Sequence, residues 1–118
     1  MRLPSRLRMK ASSEFSRLKE AGTTFPGRFL VLSAMPDTSV VPFRFGLVTS
    51  RKVGGAVTRN TVRRRLREVI KGDQVRIKPG WLFVVIARWK AGDASLTELK
   101  QDWSKLALRA GMLSSQTS

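Results

Sequence analysis

The sequence contains no cysteine, no histidine and no tyrosine. Without cysteine the chain can form neither disulfide bonds nor a thiolate metal site. The lack of histidine removes the side chain that most often serves as a general base or as a metal ligand. Only eight residues are acidic, and they form no close pair of the D-x-D or E-x-x-E kind. We therefore expect this chain to have no catalytic centre of its own.

Long apolar runs are missing as well. No segment approaches the ~18 apolar residues that a membrane-spanning helix needs, and the basic N-terminus is not followed by the apolar core of a secretory signal. We expect a cytoplasmic protein without membrane contact. The length of 118 residues and the apolar content of 42% predict a single domain over residues 1–118. Within it, residues 1–11 are expected to be irregular and basic, and residues 113–118 to form a disordered tail.

Positive charge is the abundant feature. The chain has 23 lysines and arginines, a net charge of +15 and a pI of about 11.8. This balance predicts a polyanionic partner, with nucleic acid favoured over an acidic membrane surface. About half of the net charge lies in residues 51–71, which hold eight basic residues and one acidic residue.

Apolar residues recur at helical spacing inside this basic segment, after Gly54 and Gly55. The pattern predicts a helix from about residue 57 to 71, with an apolar seam facing a sheet: Val62, Leu66, Val69 and Ile70. Three arginines spaced four apart line one edge of that seam: Arg59, Arg63 and Arg67. Asn60 and Arg64 extend this polar surface, whereas Arg65 points toward the opposite edge and fits a ligand contact or a solvated residue equally well.

Clustering like charges on one helix costs free energy, so a ligand that neutralises the arginines best explains the stripe. Arginine favours bidentate phosphate contacts and stacking on bases. The alternative is a solvated face of a protein that is merely basic.

The remaining pattern predicts helices over 13–21 and from the Ser95 capping box to Gly111. Strands are predicted over 28–34, 43–50 and 81–88, the last apolar enough to be covered on both faces. The order is helix, two or three strands, helix, strand, helix. This order favours an α+β fold in which helices pack on a small mixed sheet.

Aromatic residues suggest a second kind of contact. Phe15, Phe29 and Phe43 could stack on single-stranded bases, although an aromatic residue in a strand or short helix usually belongs to the core. Arg28 and Arg44 are both predicted on strands, and a sheet face carrying both would extend the basic surface. Four other aromatic residues are assigned to the core or its margin: Phe45, Trp81, Phe83 and Trp103.

Residues 45–68 resemble the signature of the bacterial ribonuclease P protein subunit. The other landmarks agree in order, from Arg6-Leu-Arg8 and Glu14-Phe15 through 27–32 and 84–88 to the terminal helix, so the resemblance covers nearly the whole chain. It implies a single-domain, ribosomal-protein-like α/β sandwich of order α-β-β-β-α-β-α. The resemblance also implies a mixed four-stranded sheet with a left-handed crossover, whereas such connections are right-handed by default.

The resemblance implies an accessory subunit that joins a large catalytic RNA. The holoenzyme removes the 5′ leader from precursor tRNA, and magnesium held mainly by the RNA supports the hydrolysis. The expected partners are therefore the catalytic RNA and precursor tRNA, and the protein alone is expected to be monomeric. The sequence shows no metal site on the protein.

The resemblance also assigns residues to two surfaces. The surface facing the catalytic RNA would contain Arg51, Lys52, Arg59, Asn60, Arg63, Arg64 and Arg67. The leader would lie in a cleft between the first helix and the sheet, at Phe15, to which we add Arg28 and Arg44. The chain departs from the family pattern at Gly55 and Thr61, and at Lys19 and Ser33, where further cleft aromatics are expected.

Three alternative functions are compatible with parts of the sequence. Composition fits a structural ribonucleoprotein subunit, such as a ribosomal protein, equally well, and only the long central motif argues against it. A DNA-binding module could use residues 57–71 as a recognition helix, but an arginine face with little besides Asn60 to read bases favours backbone contact. A stand-alone nuclease is disfavoured by the missing histidines and carboxylate cluster.

Overall fold

A four-stranded mixed sheet forms the centre of the protein. The computed structural model describes residues 7–9 and 12–114, so most of the predicted irregular N-terminus and residues 115–118 lie outside it. The strands are β1 (Thr23–Pro26), β2 (Leu30–Pro36), β3 (Phe43–Thr49) and β4 (Trp81–Ala87). They are arranged in the order β1-β2-β4-β3, in which only the β3–β4 pair is parallel.

In the part of the chain that the structure describes, three α-helices cover the sheet: α1 (Ser12–Ala21), α2 (Ala56–Asp73) and α3 (Leu96–Ala110). Two 3₁₀ helices, Arg51–Val53 and Trp89–Asp93, precede α2 and α3. The predicted capping box of α3 is confirmed, because Ser95 and Glu98 exchange both hydrogen bonds, and Gly111 ends the helix with a φ of 81°. The predicted α+β fold and its order are confirmed. Among the helices that the structure describes, none is long and apolar enough to cross a membrane.

The two faces of the sheet are buried under different helices. Alternate strand residues, such as Leu32, Phe45 and Phe83, pack with α2 and α3 in the larger core. On the opposite face Leu82 and Val84 pack with Leu18 of α1 and with Met9. We call these the α2/α3 face and the α1 face. β4 contributes fully buried residues to both cores, which explains its nearly continuous apolar sequence.

Two segments differ from the sequence-based expectation. The strand predicted from residue 28 begins at Leu30, so Arg28 lies in the turn between β1 and β2. Leu113 was expected in a disordered tail, but it is only 4% exposed and forms a bridge with Ile77. Ser114 donates its N–H to the carbonyl of Arg76 over 2.8 Å.

A buried carboxylate ties α3 to the β1–β2 turn. Asp102 accepts the backbone N–H groups of Arg28, Phe29 and Leu30 at 3.1, 2.8 and 2.9 Å. A Cβ atom on Gly27 would lie 2.6 Å from the nearer oxygen of this carboxylate. The close approach explains why a glycine occupies the turn, and the three hydrogen bonds satisfy a charge that is only 7% exposed.

Candidate nucleic-acid interface

The basic helix α2 is amphipathic as predicted. Its apolar seam is buried, with Val62 and Leu66 at 0% and 1% exposure and Val69 and Ile70 at 4% and 1%. Arg59, Arg63 and Arg67 are half-buried at the border of that seam. Their spacing of four residues places them on successive turns of one side of the helix.

Arg63 is held in a fixed position by neutral partners. Its Nε and Nη2 atoms donate to Thr49 Oγ1 at 3.1 and 2.9 Å, and Nη1 donates to Asn60 Oδ1 at 3.2 Å. Thr49 is the last residue of β3, so these bonds attach the middle of α2 to the end of that strand. The bonds orient the guanidinium group, and because both partners are neutral they do not compensate its charge.

Arg67 lies where positive charges converge. Burial, together with the charges of Arg8 and Arg63, lowers the pKa of Arg67 below its usual value. Arg8 reaches this place because it pairs with Phe45 of β3 in an isolated bridge. The Nε atoms of Arg59 and Arg67 are buried and find no acceptor within the part of the chain that the structure describes. We call Arg8, Arg59, Arg63 and Arg67 the arginine edge, and its geometry suits anionic oxygens.

The other predicted residues of this surface lie in the Arg51–Val53 helix and in α2. Arg51, Lys52, Asn60 and Arg64 are exposed. Arg65 turns away and donates to the carbonyl of Ala94 at 2.7 Å, so it links α2 to the segment before α3.

Phe15 marks a second surface, on the α1 face. It is 39% exposed, and its ring covers Gly46, where an added Cβ would meet Phe15 Cζ at 3.1 Å and Val84 Cγ2 at 3.4 Å. Phe29 and Phe43, the other two candidates for stacking, are buried in the larger core at 8% and 2% exposure.

Arg44 lies on a strand as predicted, whereas the prediction that Arg28 lies on a strand is wrong, so the two arginines share no sheet face. Arg44 is on the α1 face, where its Nη1 lies 3.0 Å from Glu14 Oε2 of α1. Arg28 sits beside α3, because Asp102 holds its backbone and its guanidinium lies 4.9 Å from the ring of Phe29. The strand begins two residues later than its apolar pattern indicates, which places Arg28 outside the sheet.

The surface beside Phe15 is mainly aliphatic. Ser33, Val84 and Gly46 form one row across the α1 face, and Val31, Ile86 and Val48 form the next. Ser33 is thus placed in the row that Phe15 covers, whereas Lys19 is exposed on α1.

Sequence reasoning missed two residues in and around the arginine edge. Arg8 stands in the sequence only as a family landmark, because no periodicity connects the N-terminal segment to α2. Thr49 is predicted on a strand without a role. The signal that could have identified Thr49 is its position at the end of a strand, shortly before Gly54, Gly55 and the basic helix.

Within residues 7–9 and 12–114, no group of three or more histidine, cysteine or acidic residues could hold a metal ion. The described residues therefore offer contacts to an anionic polymer and no assembled metal centre.

Comparison with known proteins shows the family of this chain. The Ribonuclease P family model matches residues 3–111. The ribonuclease P protein component of Beutenbergia cavernae is 40% identical over 112 residues, covering 92% of this chain and 94% of the relative. That of Bacillus velezensis is 31% identical and covers 98% and 99%.

Solved structures show the same fold. The RNase P protein of Staphylococcus aureus superposes with a TM-score of 0.83 at 27% identity, covering 91% of this chain and 97% of that one. The Thermotoga maritima protein, at 24% identity and a TM-score of 0.76, supports the fold alone. With matches over nearly its whole length, this chain belongs to the bacterial ribonuclease P protein family and is an accessory subunit of the endoribonuclease that processes the 5′ end of tRNA.

Proposed function

We propose that the arginine edge, with exposed Arg51, Lys52, Asn60 and Arg64 around it, binds the catalytic RNA of ribonuclease P. The observation that carries the proposal is the arrangement of Arg63 and Arg67. Hydrogen bonds to Thr49 and Asn60 hold Arg63 in place, and Arg67 lies within the electrostatic influence of Arg63 and Arg8. None of the salt bridges among the described residues involves these arginines, and positive charges kept close together in this way are stabilised when they meet phosphates.

The surface around Phe15 is proposed to receive the 5′ leader of precursor tRNA. An exposed ring on a glycine in the sheet can stack on an unpaired base, and Arg44 lies on the same face. Because Arg44 already pairs with Glu14, we assign it a weaker phosphate contact than the arginine edge provides. Arg28 was also a leader candidate, but its place beside α3 gives no support for that role.

In this mechanism the protein contributes position and charge, and the RNA contributes the chemistry. Precursor tRNA and catalytic RNA repel each other through their phosphates, and a subunit of net charge +15 reduces that repulsion. Magnesium, proposed to be held mainly by the RNA, would supply the activated water and stabilise the leaving oxygen. We place this activity in the cytoplasm.

A cleavage assay tests the proposal. Precursor tRNA is incubated with the protein alone, with the cognate catalytic RNA alone, and with both, across a magnesium titration. We expect no cleavage by the protein alone and a lower magnesium requirement when both are present, because protein cations replace part of the screening. If the protein binds the RNA but never changes cleavage, it is a structural subunit and the proposal is wrong.

A further inference from the structure

Trp89 is a large aromatic side chain left on the surface. It begins the 3₁₀ helix Trp89–Asp93 directly after Arg88, which follows β4, and it is 61% exposed. The Nζ atom of Lys90 lies 5.5 Å from the centre of its ring. A single exposed apolar residue is ordinary on a protein surface, so the surroundings of Trp89 decide what it means.

The parallel register places Trp89 beside the basic segment that follows β3. Thr49 and Ala87 are partners at the ends of β3 and β4, so the two 3₁₀ helices leave the sheet at the same end. They also touch, since a Cβ atom on Gly92 would lie 2.7 Å from the carbonyl oxygen of Val53. Arg51 and Lys52 belong to the first of these helices.

This end of the sheet is strongly cationic. Four exposed basic residues belong to the two 3₁₀ helices or precede them directly: Arg51, Lys52, Arg88 and Lys90. Asp93 is the acidic residue of the two segments. Within the described residues, the salt bridges of the protein involve Arg17, Arg44 and Arg76 and none of these four cations. Arg88 is fixed by its Nη1 donating to the carbonyl of Gly27 at 2.7 Å.

We propose that Trp89 is a stacking platform for an unpaired base of the catalytic RNA, with Arg51, Lys52, Arg88 and Lys90 holding the adjoining phosphates. The inference rests on the proposed function, because contact with the Arg51–Val53 helix makes this surface continuous with the one assigned to the catalytic RNA. Bases stack on aromatic rings with little sequence preference, and neighbouring cations supply the backbone contacts. An uncharged apolar protein partner would leave the four cations desolvated and unpaired.

Replacing Trp89 separates stacking from charge. Affinity for the catalytic RNA is measured as a function of salt for the wild-type protein and for W89A, W89F and L108A. We expect W89A to bind roughly 5- to 100-fold more weakly, with an unchanged salt slope because every phosphate-binding cation is retained. W89F should stay close to wild type. L108A removes another exposed apolar side chain, on α3, and should have no effect.

Intrinsic fluorescence gives an independent readout. The indole emission of Trp89 should change when the catalytic RNA binds, and the change should be missing in W89F, which retains Trp81 and Trp103. Far-ultraviolet circular dichroism and the unfolding temperature of each variant verify that the fold is intact.

Two results would overturn the inference. One is a W89A protein that binds the catalytic RNA as the wild type does; the other is a Trp89-dependent signal that arises with precursor tRNA alone. An R63A variant measured in parallel distinguishes this failure from that of the proposed function. If R63A weakens RNA binding and W89A does not, the proposed role of the arginine edge is supported and the proposed stacking on Trp89 is wrong.

Discussion

Arg63 is fixed on two sides of its guanidinium group, by Thr49 of β3 and by Asn60 of its own helix. A long side chain normally loses conformational freedom when it binds a ligand, and that loss reduces affinity. Here part of the loss has already occurred in the folded protein. The hydroxyl and amide partners are neutral, so the positive charge remains available to a phosphate.

Removing the three α2 arginines of the arginine edge should weaken binding to the catalytic RNA and flatten the salt dependence of that binding. For the triple variant R59A/R63A/R67A, the slope of log affinity against log salt should decrease by roughly 0.9 for each duplex phosphate that the protein no longer neutralises. A matched control, K100A/K105A/R109A, removes three exposed charges from α3. Equal effects in the two triple variants would show that only net charge matters.

Phe15 should contribute to the affinity of the protein for the leader and not to its affinity for the catalytic RNA. Stacking of one base contributes about 1–3 kcal/mol. Because the ring is only 39% exposed, we expect a contribution at the lower end of this range. F15A should therefore weaken the binding of leader-bearing tRNA about fivefold. Affinity is compared for tRNA with and without the leader, with V75A, which changes a 91% exposed residue, as the control. An equal loss for both tRNAs would contradict leader stacking.

The connection between α3 and the β1–β2 turn depends on Asp102. Replacing it with alanine leaves three backbone N–H groups without their acceptor, and those of Phe29 and Leu30 are buried. Each such group costs about 1–3 kcal/mol. Since water can reach the Arg28 end, we expect D102A to lower the free energy of unfolding by about 3 kcal/mol in urea titrations.

D93A, which changes an exposed acidic residue, serves as the control and should alter the free energy of unfolding by less than about 0.5 kcal/mol. A loss below about 1 kcal/mol for D102A would mean that the turn rearranges to satisfy its N–H groups in another way.

Asp37 connects the loop after β2 to α1 and should make stability depend on acid pH. Hydrogen bonds from the Ser39 side chain, from Arg17 and from the Ser39 backbone lower the pKa of Asp37 from 3.8 to about 2. A lowered folded-state pKa stabilises the protein above pH 3.8, and this contribution disappears as the pH falls toward 2. The wild type should therefore exceed D37N in stability at pH 7, with the difference shrinking between pH 4 and 2.

Unfolding free energies at several pH values measure this difference. A difference that stays constant over the whole range would show that the carboxylate charge has no part in it, and that D37N acts only by altering the loop.

Local sequence patterns predicted several helices and strands well, but they did not predict contacts between residues that are distant in the sequence. The α2 seam and the Ser95–Glu98 capping box follow from spacings of three and four residues, which the sequence displays directly. The hydrogen bonds that Asp102 accepts join positions more than 70 residues apart, and no pattern in the sequence near Asp102 predicts them. Arg28 was misplaced for the same reason, because the β1–β2 turn is shaped by a carboxylate from α3.

The residues of the candidate site likewise fall into those that the sequence predicts and those that only the tertiary structure brings together. The arginines of α2 were predictable because one helix carries them. Arg8 and Thr49 join the surroundings of Arg63 and Arg67 through the pairing of the N-terminal segment with β3 and the packing of α2 on that strand. Only the tertiary structure brings these segments together.

The molecule as a whole carries a net charge of +15 on 118 residues, which should destabilise the isolated protein. Like charges repel in the compact state, and the Debye length shortens from about 30 Å at 0.01 M salt to about 10 Å at 0.1 M. We expect the unfolding temperature of the free protein to rise as sodium chloride increases over this range. The K100A/K105A/R109A variant should respond less, and a salt-independent unfolding temperature would contradict the argument.

The position of β4 in the sheet has a consequence for synthesis of the chain. Residues 81–87 form the strand between β2 and β3, so a nascent chain that ends before Trp81 holds α2 and its arginines without the strand that joins the two halves of the sheet. Until the ribosome has released β4, Thr49 has no fixed position from which to orient Arg63. A newly made chain should therefore acquire its ordered RNA-binding surface late in translation, after most of its positive charge is already outside the ribosome.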